Sequence, residues 1–340
     1  MRALTLAALA LLAAGCATAG TATTSAPPTS SPPPPPVSGT VLGESEDFVV
    51  LIAREGDTAE ALAQAHLGDP GRAWMIEDFN SARVFAAGQQ VVIPKRPWNV
   101  AGVEPTGYQL VPILVYHNLG PQSKGRLLIG ADAFTEQMRY LKKEGYHVVT
   151  LADFVEWLQF KRQLPRKTVV LTFDDGYRAF RDFAYPVLKE LGFTATLFVY
   201  TDYVGAGRNS LSWEDLRGLA AEGFDVQAHS KTHGDLRRAP GENDAQYTRR
   251  MQTELAEPPK QFQRQLGRPV PFLAYPYGRV DDALLTRVRQ EGYVAAFTVR
   301  RESNPSFVPL LQIRRSQVYS EMTLEQFVQN LNLFHPEDLR

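Results

Sequence analysis

The chain has 340 residues, 44% of them apolar, with 36 Lys and Arg against 37 Asp and Glu and a formal net charge of −1. That length allows two domains and at least one large core, while the charge balance argues against a nucleic-acid binder, which carries a basic excess or patch. A single cysteine, Cys16, excludes an intramolecular disulfide.

The chain begins "MRALTLAALALLAAGC", with one positive charge at Arg2, an apolar run and then small residues. This is the pattern of a secretory signal, shorter than the roughly 20 apolar residues of a membrane span. "LAAGC" resembles the lipobox of bacterial lipoproteins, with Ala13 where leucine is commoner. The resemblance implies removal of residues 1–15, a diacylglycerol on the Cys16 sulfur and a lipid anchor in a membrane of the cell envelope. Ala17 is compatible with the outer membrane, facing the periplasm. The following Ala, Thr, Ser and Pro tract has no charge and no large apolar side chain before Val37. Such a tract cannot bury a core, and its prolines favour extended polyproline II, so residues 16–45 are expected to be a tether.

Residues 46–95 form the next unit. "DFVVLIAREGDTAEALAQAHLGD" predicts a strand, a turn and a short amphipathic helix; "PGRAWMIEDFNSARVFAAGQQVVIP" predicts a second helix and a closing strand. A βααβ unit of this size resembles the LysM module, through Gly56-Asp57-Thr58, Asn80 and Gly88-Gln89 to Ile93-Pro94. The resemblance implies binding of N-acetylglucosamine polymers. Residues 96–107 read as a second linker.

From Tyr108 onward strands and helices alternate. "QLVPILVYH", "YHVVTL", "KTVVLTF", "FTATLFVY", "FDVQAHS", "VPFLAYP", "YVAAFTV" and "LLQIRRSQV" read as strands. Between them lie helical patterns such as "ADAFTEQMRYLKKEG", with Phe134, Met138 and Leu141 on one face, and "SWEDLRGLAAEG", with Ser212 as N-cap. A final helix, "TLEQFVQNLNLF", has Thr323 and Gln326 placed as a capping box. Repeated βα units of this number imply an α/β fold, a parallel barrel or a doubly wound sheet.

In either architecture functional groups gather at the C-terminal ends of the strands. Three such ends stand out: "LTFDDGY", "VQAHSKTH" and "LAYPYG". His229, His233 and one carboxylate of the Asp174-Asp175 pair would make a three-ligand site for a divalent metal, leaving a position open for water. Metal binding by one aspartate answers the cost of setting two carboxylates side by side, and the other stays ionised as a base. Successive strand residues point to opposite faces, so the turn at Gly176 must relax that alternation. Two histidines and a carboxylate also describe non-haem Fe(II) oxygenase sites.

"TFDDGY" with "HSKTH", in that order and each at a strand end, resembles the first two motifs of the polysaccharide deacetylase (NodB-homology) family over about residues 108–340. The resemblance implies a distorted (β/α) barrel that hydrolyses N-acetyl groups on polysaccharides. It assigns Asp174 as base, Asp175, His229 and His233 as metal ligands, and the Tyr277 backbone N–H as an oxyanion donor. Zinc is the metal expected, with cobalt or nickel also suited.

Two departures are visible. Ala274 stands where many members carry an arginine that orients the base, and "LLQIRR" lacks the C-terminal histidine that supplies the acid. Poly-N-acetylglucosamine deacetylases begin with a "YH" strand whose histidine is the acid, which makes His117 of "PILVYHNL" the candidate. Arg314 or Arg315 is the candidate replacement for the arginine. The LysM-like unit favours peptidoglycan as polymer, and the "YH" strand favours poly-N-acetylglucosamine. A non-catalytic glycan-holding lipoprotein is the alternative from a different class.

Overall fold

The computed structural model describes residues 39–340. Cys16, the signal-like segment and most of the proline-rich tract lie outside the described residues. Among the described residues no helix is long and apolar enough to cross a membrane.

Strand β1 (Thr40–Glu44) pairs antiparallel with β2 (Phe48–Ile52), and β2 with β3 (Gln90–Pro94). Helices α1 (Ala59–Leu67) and α2 (Ala73–Asn80) fill the connection between β2 and β3. Thr58 starts α1 by accepting the Ala61 amide at 3.2 Å, and Gly68, at φ 72°, ends it. Leu51, Leu62, Ile76, Val91 and Ile93 are fully buried between the helices and the strands. Strand β1 was not expected: all its residues are exposed, so no apolar alternation marks it, and it exists through its ladder with β2.

Asn80 ties α2 to β3. Its amide nitrogen donates to the Ile76 and Val92 carbonyls, both at 2.7 Å, and its oxygen accepts the Val92 N–H at 2.9 Å. Asn80→Ala removes all three bonds and leaves the partly buried Val92 N–H and carbonyl without these partners. We expect it to lower stability by about 1–3 kcal/mol, read by denaturant unfolding of the full chain.

The tract expected to be a second linker is ordered. Strands β4 (Val103–Glu104) and β5 (Gly107–Gln109) form a hairpin, and β5 also pairs with the C-terminal segment Phe334–Pro336. His335 there stacks on Tyr108, with ring centroids 4.9 Å apart. The Trp98 and Asn99 amides donate to Gln163 Oε1 at 2.8 and 3.0 Å, and the Arg166 amide donates to Asp78 Oδ2 at 2.9 Å. Burial pushes the Asp78 carboxyl up to about 6. Pro97, Gly102, Pro105 and Gly107 suggested a linker because the partners that order it are distant in sequence.

The rest of the chain runs β6 (Ile113–Tyr116), the short parallel pair β7 (Asn118–Gly120) and β8 (Leu128–Gly130), α3 (Ala131–Lys143), β9 (His147–Val148), α4 (Leu151–Leu158), β10 (Thr168–Asp175), α5 (Tyr185–Leu191), β11 (Thr196–Val199), α6 (Trp213–Ala221) and β12 (Asp225–Ala228). It continues with α7 (Asp244–Met251), α8 (Glu257–Leu266), β13 (Phe272–Ala274), α9 (Asp282–Gln290), β14 (Ala295–Phe297), β15 (Ser316–Gln317), α10 (Leu324–Val328) and β16 (Phe334–Pro336). Ser212 and Thr323 form the capping boxes at α6 and α10. The main sheet has the order β14-β13-β12-β11-β10-β6-β15, with β9 beside the start of β10, and every pairing is parallel. The expected last strand is short, but a parallel bridge from Ile313 to Phe297 links that segment back to β14. The result is an α/β fold whose parallel sheet curls towards a (β/α) barrel.

Strand parity sorts β10 into two cores. Val169, Leu171 and Phe173 pack under the helices. Val170 joins Ile113, Phe198, Phe297 and Ile313 in the sheet's interior, where Phe154 and Trp157 of α4 also pack. Alternation therefore points Thr172 and Asp174 into the same interior.

Candidate active site

Register brings the motifs together at one end of the sheet. Tyr116 pairs with Phe173, so His117 follows β6 beside Asp174. Asp175 pairs with Val199, and Val199 with Ala228; the next residue, His229, donates its amide to the Val199 carbonyl at 3.0 Å. Ala228 pairs with Leu273, and His229 Nδ1 lies 2.7 Å from the Ala274 carbonyl. A hydrogen bond there places the proton on Nδ1 and leaves Nε2 unprotonated and free to ligate.

Alternation breaks at Asp175 itself, whose φ of 75° is left-handed, followed by Gly176 at 88°. Parity would have sent the Asp175 carboxylate under the helices. A Cβ on Gly176 would come within 2.8 Å of Val199 Cγ1, so only glycine fits behind the turn. Non-glycine residues rarely adopt positive φ, and those that do cost about 1–3 kcal/mol each and cluster where function demands them. Of six such residues among those described, Asp175, Ser230, His233 and Tyr277 surround this site.

Asp175 Oδ1 lies 3.2 Å from His233 Nε2 and 3.6 Å from His229 Nε2. One ligand atom from each of the three residues falls within 4.8 Å of the others. Asp175 Oδ1 is buried without a well-aligned hydrogen-bond partner. An orphaned carboxylate oxygen facing two imidazole nitrogens fits a divalent ion with nitrogen and oxygen ligands. Burial pushes the His229 imidazole below its usual range, which favours the neutral, metal-ligating form. Burial alone would raise Asp175, but His233, His229 and His117 bring it below the usual carboxylate range.

Asp174 is 2% exposed and Arg315 fully buried. The Arg315 guanidinium donates to both carboxylate oxygens of Asp174 at 2.7 and 2.8 Å. It is held in turn by Thr298 O at 3.0 Å, by Thr172 Oγ1 at 3.2 Å and by the Phe198 ring, 5.1 Å away. Burial would raise Asp174, yet Arg315 and His229 bring it down to about 2. Of the two arginines considered, Arg315 makes this contact. Arg314 does not; it pairs with Glu302 at 2.7 Å, because adjacent residues of the segment face opposite ways.

His117 acts electrostatically on both aspartates, and its buried Nδ1 has no hydrogen-bond partner. Tyr277, φ 60°, sits in the turn after β13, and its ring lies 4.9 Å from that of His233. Gly278 follows at φ 65°, where a Cβ would meet Val299 Cγ2 at 2.4 Å. The sequence reading missed an arc of tyrosines: Tyr200 lies 5.2 Å from His233 and stacks on Tyr203, which meets Tyr177 edge-on. Tyr200 and Tyr203 follow β11, so the strand-end rule could have found them. His335, in β16 and paired with Tyr108 of β5, takes no part.

A polysaccharide deacetylase family model matches residues 161–296, a span containing Asp174, Asp175, His229, His233 and Tyr277 but neither His117 nor Arg315. The poly-beta-1,6-N-acetyl-D-glucosamine N-deacetylase of Staphylococcus epidermidis is 28% identical over 179 residues, 50% of this chain and 61% of that protein. The chain thus spans less than two thirds of the length of that curated relative. Among solved structures, Streptococcus pyogenes deacetylase PplD in complex with acetate superposes with a TM-score of 0.60 at 26% identity, covering 67% of this chain and all of that one. IcaB from Ammonifex degensii gives 0.59 at 25% identity, over 66% of this chain and 98% of that one. With its paired aspartates and two histidines at the strand ends of a curled parallel sheet, the chain carries a NodB-type polysaccharide deacetylase domain.

Proposed function

We propose that this protein hydrolyses N-acetyl groups from an N-acetylglucosamine polymer in a metal-dependent reaction, with β-1,6-linked poly-N-acetylglucosamine as the favoured polymer. The observation that carries the reading is Asp174, buried and locked by Arg315, standing beside the Asp175, His229 and His233 cluster. The poly-beta-1,6-N-acetyl-D-glucosamine N-deacetylase activity of the Staphylococcus epidermidis relative supports the choice of polymer. The parallel sheet disfavours an Fe(II) oxygenase, a centre normally found on antiparallel double-sheet folds.

Asp175, His229 and His233 would hold the divalent ion, zinc being the best fit to two nitrogens and an oxygen. When bound, such an ion polarises an amide carbonyl and lowers the pKa of water towards about 7. Asp174 takes the proton of the attacking water. Arg315 and His229 hold its carboxyl at about 2, which favours the ionised form, and the two Arg315 bonds fix its direction. The Tyr277 backbone N–H, presented by a left-handed turn, faces the oxyanion. His117 gives a proton to the departing amine, a poor leaving group until protonated. His117→Ala is expected to lose about 10²–10⁴ in acetate release with unchanged metal content; wild-type turnover would remove His117 from the reaction.

The βααβ unit of residues 46–95 is read as a LysM-like module that holds the same class of glycan. Cys16 is read as the lipid anchor, with the enzyme tethered in the envelope by residues 16–45. The deciding experiment is acetate release from chitooligosaccharide, β-1,6-linked glucosamine polymer and peptidoglycan, with metal measured on the same sample. Release from the β-1,6 polymer, lost on chelation and restored by zinc, is expected. Metal-loaded protein that releases acetate from none of the three would overturn the reading.

A further inference from the structure

Glu254 is a carboxylate that the reaction above does not use. It is 6% exposed, and among the described residues no basic side chain forms an ion pair with it. It lies in a π-helical turn, Gln252–Ala256, between α7 and α8. Such widened turns are rare and recur at functional sites. Burying an unpaired carboxylate is unfavourable unless hydrogen bonds replace its water.

Those bonds all come from one place. Oε2 accepts the amides of Lys231 and Thr232 at 3.1 and 3.0 Å, and Oε1 accepts the Thr232 hydroxyl at 2.7 Å. Lys231 and Thr232 are the centre of the loop from His229 to His233. Residues on both sides of them are left-handed, Ser230 at φ 69° and His233 at φ 64°. Such a backbone persists only where its surroundings over-determine it. Ser230 Oγ accepts the His233 amide at 3.0 Å; Glu254 supplies three further bonds, charge-assisted and so stronger than neutral ones. The two imidazoles then stand with centroids 4.8 Å apart.

We propose that Glu254 is the positioning residue of the metal centre, holding the Lys231-Thr232 peptide so that His229 and His233 converge on Asp175 before any ion arrives. The inference rests on the metal-site reading above. Outer partners of metal ligands, when lost, typically cost 10–100-fold in metal affinity.

The test uses the full chain stripped of metal and titrated with zinc alone against a chromophoric chelator, with no substrate present. A parallel cobalt(II) titration records the visible spectrum. Glu254→Gln keeps the shape but removes the charge from all three bonds, and its amide nitrogen can meet the Thr232 hydroxyl only as a donor. We expect its zinc Kd to rise about 10–100-fold, with an altered cobalt spectrum. Thr232→Val removes one bond of the three and should give a smaller rise, which Thr232→Ser reverses; this pair decides if Glu254→Gln does not fold. Wild-type zinc affinity and an unchanged cobalt spectrum in the variants, even with a lower melting temperature, would reduce Glu254 to a structural residue and overturn the proposal. A wild-type chain that takes up no zinc would instead overturn the metal-site reading, and this proposal with it.

Discussion

Arg315→Met should lower the stability of the fold by about 3–5 kcal/mol at neutral pH, the usual cost of stranding one partner of a buried ion pair. Asp174 would remain buried in the sheet interior with neither of its Arg315 bonds. The sign with pH follows from the native pair. Asp174 is held at about 2 against an ordinary 3.8, so its contribution is complete above 3.8 and is lost as pH falls through about 2. In Arg315→Met burial acts unopposed by that guanidinium and raises Asp174, so acid neutralises the stranded charge and the gap to wild type should close as pH falls. Denaturant unfolding at neutral and acidic pH measures both. Arg315→Met combined with Asp174→Leu should recover much of the loss, since replacing a buried pair by apolar residues is often neutral. A single variant as stable as wild type at neutral pH would show that the pair does not hold the interior together.

Asp174→Asn should reduce acetate release by about 10²–10⁴ while keeping the bound metal, because Asp175, His229 and His233 are untouched. His233→Ala should lose both. The contrast separates the proton acceptor from the ligand beside it, which a rate measurement alone cannot do. Because Arg315 and His229 hold Asp174 at about 2, activity lost between neutral pH and about 4 should follow departure of metal, whose binding is pH-dependent, and not loss of the base. Asp174→Asn with wild-type turnover would reassign the base.

Much of the site was legible locally. Asp174, Asp175, His229, His233 and Tyr277 each lie at or just beyond the C-terminal end of a strand written in apolar residues, and parallel βα repeats bring such ends to one rim. The missing base-orienting arginine could be sought only among the arginines available, and nothing in "LLQIRRSQV" distinguishes Arg314 from Arg315. One-residue alternation put Arg315 inside with Asp174 and Arg314 outside against Glu302. Glu254 gave no local signal, because what marks it is a loop more than twenty residues away. The order of the second linker has the same cause: its partners Gln163 and Phe334–Pro336 are remote.

Sequence by itself determined the βα order, the helix caps at Ser212 and Thr323, and the set of chemical groups at the strand ends, since periodicity and residue type act over a few neighbours. Tertiary structure decided which arginine meets the base, the left-handed backbone that turns Asp175 towards the histidines, and the packing of the tract from Trp98 to Gln109. Those features depend on contacts between residues far apart in the chain, and a local pattern carries no record of a distant partner.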